Sequence, residues 1–179
     1  MLKFYDSAVV LQEFPDEIAL AVNITGCKCN CSNCSEPWLR QDIGEELSND
    51  KIDELIASHP DITVFGLMGG DSDYDDVIRI ADYIHNRYPI KVGMYSGRDQ
   101  LNMKLLECLD YYKIGRWINP IGPVSEWHKT TGGVIQFPWS NQIMFEKIDN
   151  NWVNITYKFR KEKIGNPERY IIFTGNNEN

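Results

Sequence analysis

Nothing in this chain approaches the run of about 18 apolar residues that a membrane-crossing helix needs, so a membrane-spanning helix is not expected. The opening stretch MLKFYDSAVVLQEFPDE turns acidic before a secretory core and cleavage site can form, so the expectation is a cytoplasmic protein. Positive charge is scarce: 18 Lys and Arg stand against 26 Asp and Glu, a net charge of -8 with a pI near 4.9. A nucleic-acid binder needs a basic surface to displace counterions from phosphates, so nucleic acid is not an expected partner, and neither is a membrane. The small basic group Lys158, Arg160, Lys161 and Lys163 reads as a solvated face, with contact to an acidic partner as the alternative. Histidine is rare as well, and His59, His85 and His128 complete no cysteine–histidine zinc motif. Repeats and low-complexity linkers are absent. With 179 residues, 42% of them hydrophobic, the chain reads as one domain spanning 1–179, with a core of about 15–160 and a polar tail at 174–179.

What is present is a concentration of cysteine. Four of the five cysteines fall in Cys27-Lys28-Cys29-Asn30-Cys31-Ser32-Asn33-Cys34, and Cys108 stands alone. A disulfide framework would spread its cysteines to close long loops, and the expected compartment is reducing. Within the segment lies C-x3-C-x2-C, formed by Cys27, Cys31 and Cys34. Three thiolates from one loop suit three irons of a 4Fe-4S cubane and leave the fourth iron open to a small-molecule chelator. A zinc site using all four loop cysteines is the competing reading. Zinc, however, usually joins two separated pairs, and four ligands packed this closely would stabilise only their own loop. Cys29 interrupts the triplet and is read as a spectator, with contact to the cluster sulfurs as the alternative. Cys108, on the apolar face of a helix, is read as a buried free thiol.

Around this segment the pattern alternates. Residues 18–25 read as a strand, 48–58 as a helix capped by Ser48 with Ile52, Leu55 and Ile56 on one face, and 62–67 as a buried strand closed by Gly69-Gly70. A helix over 74–86 follows, with Val77, Ile78, Ala81 and Ile84 in phase, and Pro89 ends it. A strand over 90–95, a helix from about 101 to 109 and a strand over 111–115 complete the series. Such alternation is the pattern of βαβ units and a parallel sheet. After Pro120 the chain becomes β-rich, with strands expected at 133–137, 142–148 and 152–159 and a turn at Asp149-Asn150-Asn151. Ligands of open α/β sheets sit at the carboxyl ends of the parallel strands. Three motifs fall there: the cysteine loop, Gly69-Gly70-Asp71 and Tyr95-Ser96-Gly97. Glycine pairs bring main chain close to a ligand. Asp71 or Ser72 alternatively caps the next helix. Ser96 and Gly97 suit a hydroxyl contact to a ribose or carboxylate.

These motifs resemble those of radical-SAM enzymes, in particular the activating proteins of anaerobic (class III) ribonucleoside-triphosphate reductase. The resemblance rests on the cysteine triplet after the first core strand, Cys34-Ser35-Glu36-Pro37-Trp38, Met68-Gly69-Gly70-Asp71, Tyr95-Ser96-Gly97 and Ser140-Asn141-Gln142. Asn33, Ser35, Asp71, Gly115-Arg116 and Ile143 depart from the family's commoner residues. The resemblance implies an α/β fold, a partial (βα) barrel of radical-SAM type with parallel strands and a β-rich C-terminal segment. It also implies an oxidoreductase that binds a 4Fe-4S cluster through Cys27, Cys31 and Cys34. S-adenosylmethionine would lie against Gly69, Gly70, Asp71, Ser96 and Gly97, with no catalytic residue beyond the cluster ligands. Reductive cleavage would then give a 5′-deoxyadenosyl radical that takes hydrogen from a glycine of the reductase large subunit. An external one-electron donor such as flavodoxin would supply the electron.

Cysteine count limits the choices further, since Cys29 and Cys108 cannot furnish a second four-iron cluster. Two alternatives remain at this stage. One is a radical-SAM enzyme acting on another protein or peptide. The other is a non-catalytic zinc- or iron-binding interaction module, to be recognised by colourless protein carrying zinc. Trp117, Trp127 and Trp139 lie in the least regular part of the chain and suit either a partner surface or core filling.

Overall fold

The computed structural model describes residues 1–32, 34–118, 142–159 and 171–174. Their strands are β1 (Lys3–Val10), β2 (Ala19–Ile24), β3 (Glu45–Glu46), β4 (Val64–Met68), β5 (Lys91–Tyr95), β6 (Tyr111–Ile114), β7 (Ile143–Ile148), β8 (Asn151–Asn154) and β9 (Ile171–Thr174). The helices are α1 (Asn49–Ser58), α2 (Tyr74–Arg87) and α3 (Leu105–Cys108). Among the described residues the strands form one nine-stranded sheet in the order β3-β1-β2-β4-β5-β6-β7-β8-β9. The central run β2-β4-β5-β6 is parallel, and every other pairing is antiparallel.

The parallel strands are short and almost wholly buried, as expected when both faces of a sheet are covered. On one face, Leu20, Val22, Phe65, Leu67, Val92, Met94 and Tyr112 pack against Ile52 and Ile56 of α1 and Val77, Ile80, Ala81 and Ile84 of α2. Both helices begin where a side chain can satisfy their first amides. The Ser48 hydroxyl accepts from Lys51 N at 3.2 Å, and the Asp73 carboxylate from Asp76 N at 3.1 Å. Asp76 is itself buried and accepts from Leu2 N and from the Arg79 guanidinium, each at 2.6 Å, which ties the N-terminus to α2.

The opposite face has a smaller core centred on Phe14, whose ring meets Tyr95 and Tyr111 with centroids 5.4 and 5.5 Å away. Phe14 explains two glycines in the middle of strands. A Cβ on Gly66 would lie 2.5 Å from the Phe14 ring, and one on Gly93 would collide with it as well.

The structure differs from the sequence expectations at several places, each with a local cause. The helix expected over 101–109 is only Leu105–Cys108, because Asn102 Oδ1 accepts from Lys104 N at 3.0 Å and holds a turn instead. The strand expected over 152–159 stops at Asn154. Its side-chain oxygen accepts from Thr156 N and Thr156 Oγ1, and Thr156–Phe159 winds into a 3-10 turn. The hairpin turn is two residues, Asp149 and Asn150, both at positive φ (49° and 62°), and Asn151 already pairs with Ile148. In α2, Ile80 is fully buried and Ile78 only partly. The strands β1, β3 and β9 have no counterpart in the sequence reading. The expected strand at 133–137 and the last five residues of the polar tail lie outside the described residues.

Candidate metal centre

The cysteine loop leaves β2 at Ile24 and is pinned before it reaches its first thiol. Thr25 is buried, and its hydroxyl donates to the Ile43 carbonyl at 2.8 Å and lies 3.3 Å from that of Lys3. Gly26, at φ +74°, then donates from N to Gln41 O at 3.1 Å, and Cys27 N to Leu39 O at 3.0 Å. Arg40, at the end of a 3-10 turn over Pro37–Arg40, donates its guanidinium to the Cys31 carbonyl. The segment that follows the cysteines therefore closes the base of their loop. All four loop thiols are free; Cys27 is exposed, and Cys29, Cys31 and Cys34 are half-buried.

The other two motifs meet the loop at the same edge, through Asp71. This carboxylate receives the Ser96 hydroxyl at 2.6 Å, the Gly97 amide at 2.8 Å and the Tyr74 hydroxyl at 3.3 Å. The Cys29 thiol donates to it at 3.9 Å, a sulfur-length contact. Asp71 thus joins the turns after β4 and β5 to the cysteine loop after β2. Neither Asp71 nor Ser72 caps α2, as the sequence had allowed, since Asp73 does so. The Ser96 hydroxyl, expected to face a ligand, is buried (2% exposed) and also accepts from Arg98 N at 3.0 Å. Its hydrogen bonds are spent on holding the edge together.

Both glycines of the pair need their residue type for backbone reasons, with φ of +128° at Gly69 and +119° at Gly70. Gly70 also has no room for a side chain. A Cβ there would lie 2.9 Å from Val77 Cγ2 and 3.3 Å from Met94 Cε, inside the helix-side core. At Gly97, by contrast, an added Cβ would collide with Cys29 Sγ. Glycine at 97 makes room for that thiol. Burial first, and the neighbouring Asp71 carboxylate second, push the Cys29 thiol up to about 12. Giving up that proton to a metal therefore costs more than it would for an ordinary thiol. Cys108 is buried in α3 and its thiol donates to Leu105 O at 3.6 Å.

The chemistry of this loop agrees with comparison to known proteins. A family model described as a 4Fe-4S single cluster domain matches residues 18–119, more than half of the chain. The chain belongs to that family. No curated protein and no solved structure matches it. The region of this 4Fe-4S single cluster domain that the family model covers runs from β2 through β6, and so contains the loop, Gly69-Gly70-Asp71 and Tyr95-Ser96-Gly97. The donor set of the 4Fe-4S domain fits its cluster. Cys27, Cys31 and Cys34 offer three free thiols from one pinned loop, while Cys29 is turned to Asp71. Among the described residues no three Cys, His, Asp or Glu side chains already converge on a metal position. Cluster binding would itself draw the thiols together, which couples order in the loop to loading.

Of the later sequence candidates, only some lie among the described residues. Gln142 is buried and its amide donates to Gly115 O at 3.3 Å, at the start of β7. Trp117 is half-buried, while Ser140, Asn141, Trp127 and Trp139 lie outside the described residues. None of the described helices is long and apolar enough to cross a membrane. The sequence reading missed Lys113, taken only as a letter in the strand YYKIG. It is buried on β6, its Nζ 4.1 Å from the Tyr95 ring centroid, and burial lowers its pKa to about 8. A lysine inside an otherwise apolar strand was the available signal.

Proposed function

We propose that this 4Fe-4S domain is a radical-SAM oxidoreductase that activates a glycyl-radical enzyme, the anaerobic ribonucleoside-triphosphate reductase. The observation that carries the reading is the meeting of the three-thiol loop with the Gly69-Gly70-Asp71 and Tyr95-Ser96-Gly97 turns through the Asp71 carboxylate. In this reading Cys27, Cys31 and Cys34 hold the cluster and leave one iron for S-adenosylmethionine. When bound, the cluster supplies the electron that cleaves the sulfonium of S-adenosylmethionine to methionine and a 5′-deoxyadenosyl radical. The protein's own task is positional. Thr25, Gly26 and Cys27 fix the loop base against residues 39–43, and Asp71 fixes the adjacent turns to each other. The main chain at Gly69, Gly70 and Gly97, together with the edge held by Asp71 and Ser96, offers the surface on which the methionine part of the ligand would rest. The α/β sheet is read as a partial barrel of radical-SAM type, its parallel strands presenting this edge to a protein substrate. The glycine-bearing large subunit is the proposed partner, with a flavodoxin-type electron donor.

The test is anaerobic reconstitution with iron and sulfide, followed by dithionite and S-adenosylmethionine. The reading requires about four irons per chain and formation of 5′-deoxyadenosine. Addition of the reductase large subunit must then give a glycyl radical by electron paramagnetic resonance. Loaded protein that leaves S-adenosylmethionine intact refutes the radical-SAM reading. Cleavage without a glycyl radical refutes the choice of partner alone.

A further inference from the structure

Lys113 plays no part in the loop chemistry, and its surroundings leave a requirement unmet. It lies in a register row that runs Asn23, Met68, Tyr95, Lys113, Met144 across five neighbouring strands. Met68 and Tyr95 are the last residues of β4 and β5, and Asn23 and Lys113 the last but one of β2 and β6. The row therefore marks the carboxyl ends of the parallel strands, on the Phe14 face rather than the helix face. Lys113 is only 8% exposed. An ammonium carries three donors, yet the structure gives the Lys113 Nζ no hydrogen bond and no ion pair among the described residues. Its close neighbour is the face of the Tyr95 ring. The Tyr95 hydroxyl donates to the Glu13 carbonyl and is not turned toward Lys113. The Glu13 carboxylate, from the β1–β2 connection, is the charge that acts on Lys113, without reaching ion-pair distance.

A largely buried cation with no hydrogen-bonded counter-charge is costly, and what relieves it is contact with water, loss of the proton or acquisition of an anion. We propose that Lys113 is an anion-recognition residue, binding one carboxylate or phosphate group of a small ligand that enters over the carboxyl ends of the parallel strands. Beside it the half-buried Tyr95 ring, and one strand further Met68, offer polarisable apolar surface, which suits a ligand whose anionic group is attached to an apolar or aromatic body. The site stands on the strand register and the burial of Lys113 alone. It holds whether or not the loop performs S-adenosylmethionine chemistry.

The experiment follows the Lys113 side chain directly in the full chain. Protein carrying ¹³C-labelled lysine is titrated by NMR, with the Lys113 Cε signal assigned by its loss in Lys113→Arg. Titrations are run alone and with inorganic phosphate, acetate, S-adenosylmethionine or its decarboxylated analogue. An anion that binds the ammonium must raise the midpoint, and tenfold preference for the charged form moves it up by about one pH unit. The proposal expects a saturable rise of about one unit or more with at least one anion. A response to phosphate assigns a phosphorylated ligand. A response to acetate, or to S-adenosylmethionine but not its decarboxylated analogue, assigns a carboxylate. Lys113→Met should weaken binding of the effective anion about tenfold or more, and Lys113→Arg should retain it. A midpoint unmoved by every anion overturns the proposal. So does a midpoint that moves only in Glu13→Gln, since Glu13 would then be the sufficient counter-charge. Iron content and 5′-deoxyadenosine formation, measured on the same samples, report separately on the cluster reading.

Discussion

Replacing Asp71 by Asn tests whether this carboxylate joins the three strand ends. The two oxygens of Asp71 have different duties: Oδ1 accepts from the Ser96 hydroxyl at 2.6 Å and Oδ2 from the Gly97 amide at 2.8 Å. Asparagine keeps one acceptor and turns the other position into a donor. If its oxygen serves Ser96, its NH2 opposes the Gly97 N–H. If it serves Gly97, its NH2 meets a Ser96 oxygen that already accepts from Arg98 N, and the hydroxyl proton loses its acceptor. Either orientation forfeits one hydrogen bond to a charged acceptor, about 1.5–3 kcal/mol when such a group is buried. Asp71 is half-buried, so the lower end applies, about 1.5–2 kcal/mol. For a domain of this size that lowers the melting temperature by roughly 3–8 °C. A second readout is local. Asp71 helps hold the Cys29 thiol protonated, so its neutralisation lowers that pKa and raises the thiolate fraction at a given alkaline pH. Iodoacetamide should therefore label Cys29 faster in Asp71→Asn than in the parent at pH 9, read by peptide mass spectrometry. A variant that melts within about 1 °C of the parent and leaves Cys29 labelling unchanged would refute the role assigned to Asp71.

Three further outcomes follow from named contacts. Cys27→Ala, Cys31→Ala and Cys34→Ala should each lose most reconstituted iron and visible absorption, while Cys29→Ala and Cys108→Ala keep them; equal damage from Cys29→Ala would show that the ligand triplet is wrongly chosen. Gly66→Ala should cost about 1–3 kcal/mol in chemical denaturation through overpacking against Phe14, and Gly66→Ala with Phe14→Leu should cost less than the sum of the singles; strict additivity would remove Phe14 as the cause. Burial alone would raise the Asp110 carboxyl, but the His85 ring at 2.8 Å and the Val92 amide at 2.8 Å outweigh it and hold the pKa below the ordinary aspartate value. A depressed folded-state pKa means that this stabilisation is complete above the ordinary aspartate range and fades as pH falls through the depressed value. Acid unfolding of Asp110→Asn, compared with the parent, should show a smaller loss of stability in that window, and parallel curves would count against it.

What the sequence determined by itself is whatever depends on near neighbours along the chain. The Ser48 cap needs only Lys51, three residues on, and the buried face of α1 needs only Ile52 and Ile56 at helical spacing. The C-x3-C-x2-C spacing states its donor set without help from any other segment, and Gly69-Gly70 announces a turn because its positive φ angles admit little else. Alternation of apolar runs and amphipathic segments likewise foretells parallel pairing for β2, β4, β5 and β6. Only tertiary structure decided which partners distant residues find. Nothing local distinguishes an Asp71 that caps a helix from one that reaches Ser96 and Gly97, some 25 residues away. Gly66 and Gly93 look like weak points in their strands until Phe14 is placed over both. The half-exposed β1 is a strand because Phe4 and Ala8 pair across to Ile24 and Ala21, not because its own residues alternate. Lys113 gains its meaning from burial beside Tyr95, a neighbour supplied by strand register. Local propensity is set by backbone sterics and short-range hydrogen bonds, whereas these features arise from burial and from contacts that close only when the sheet assembles.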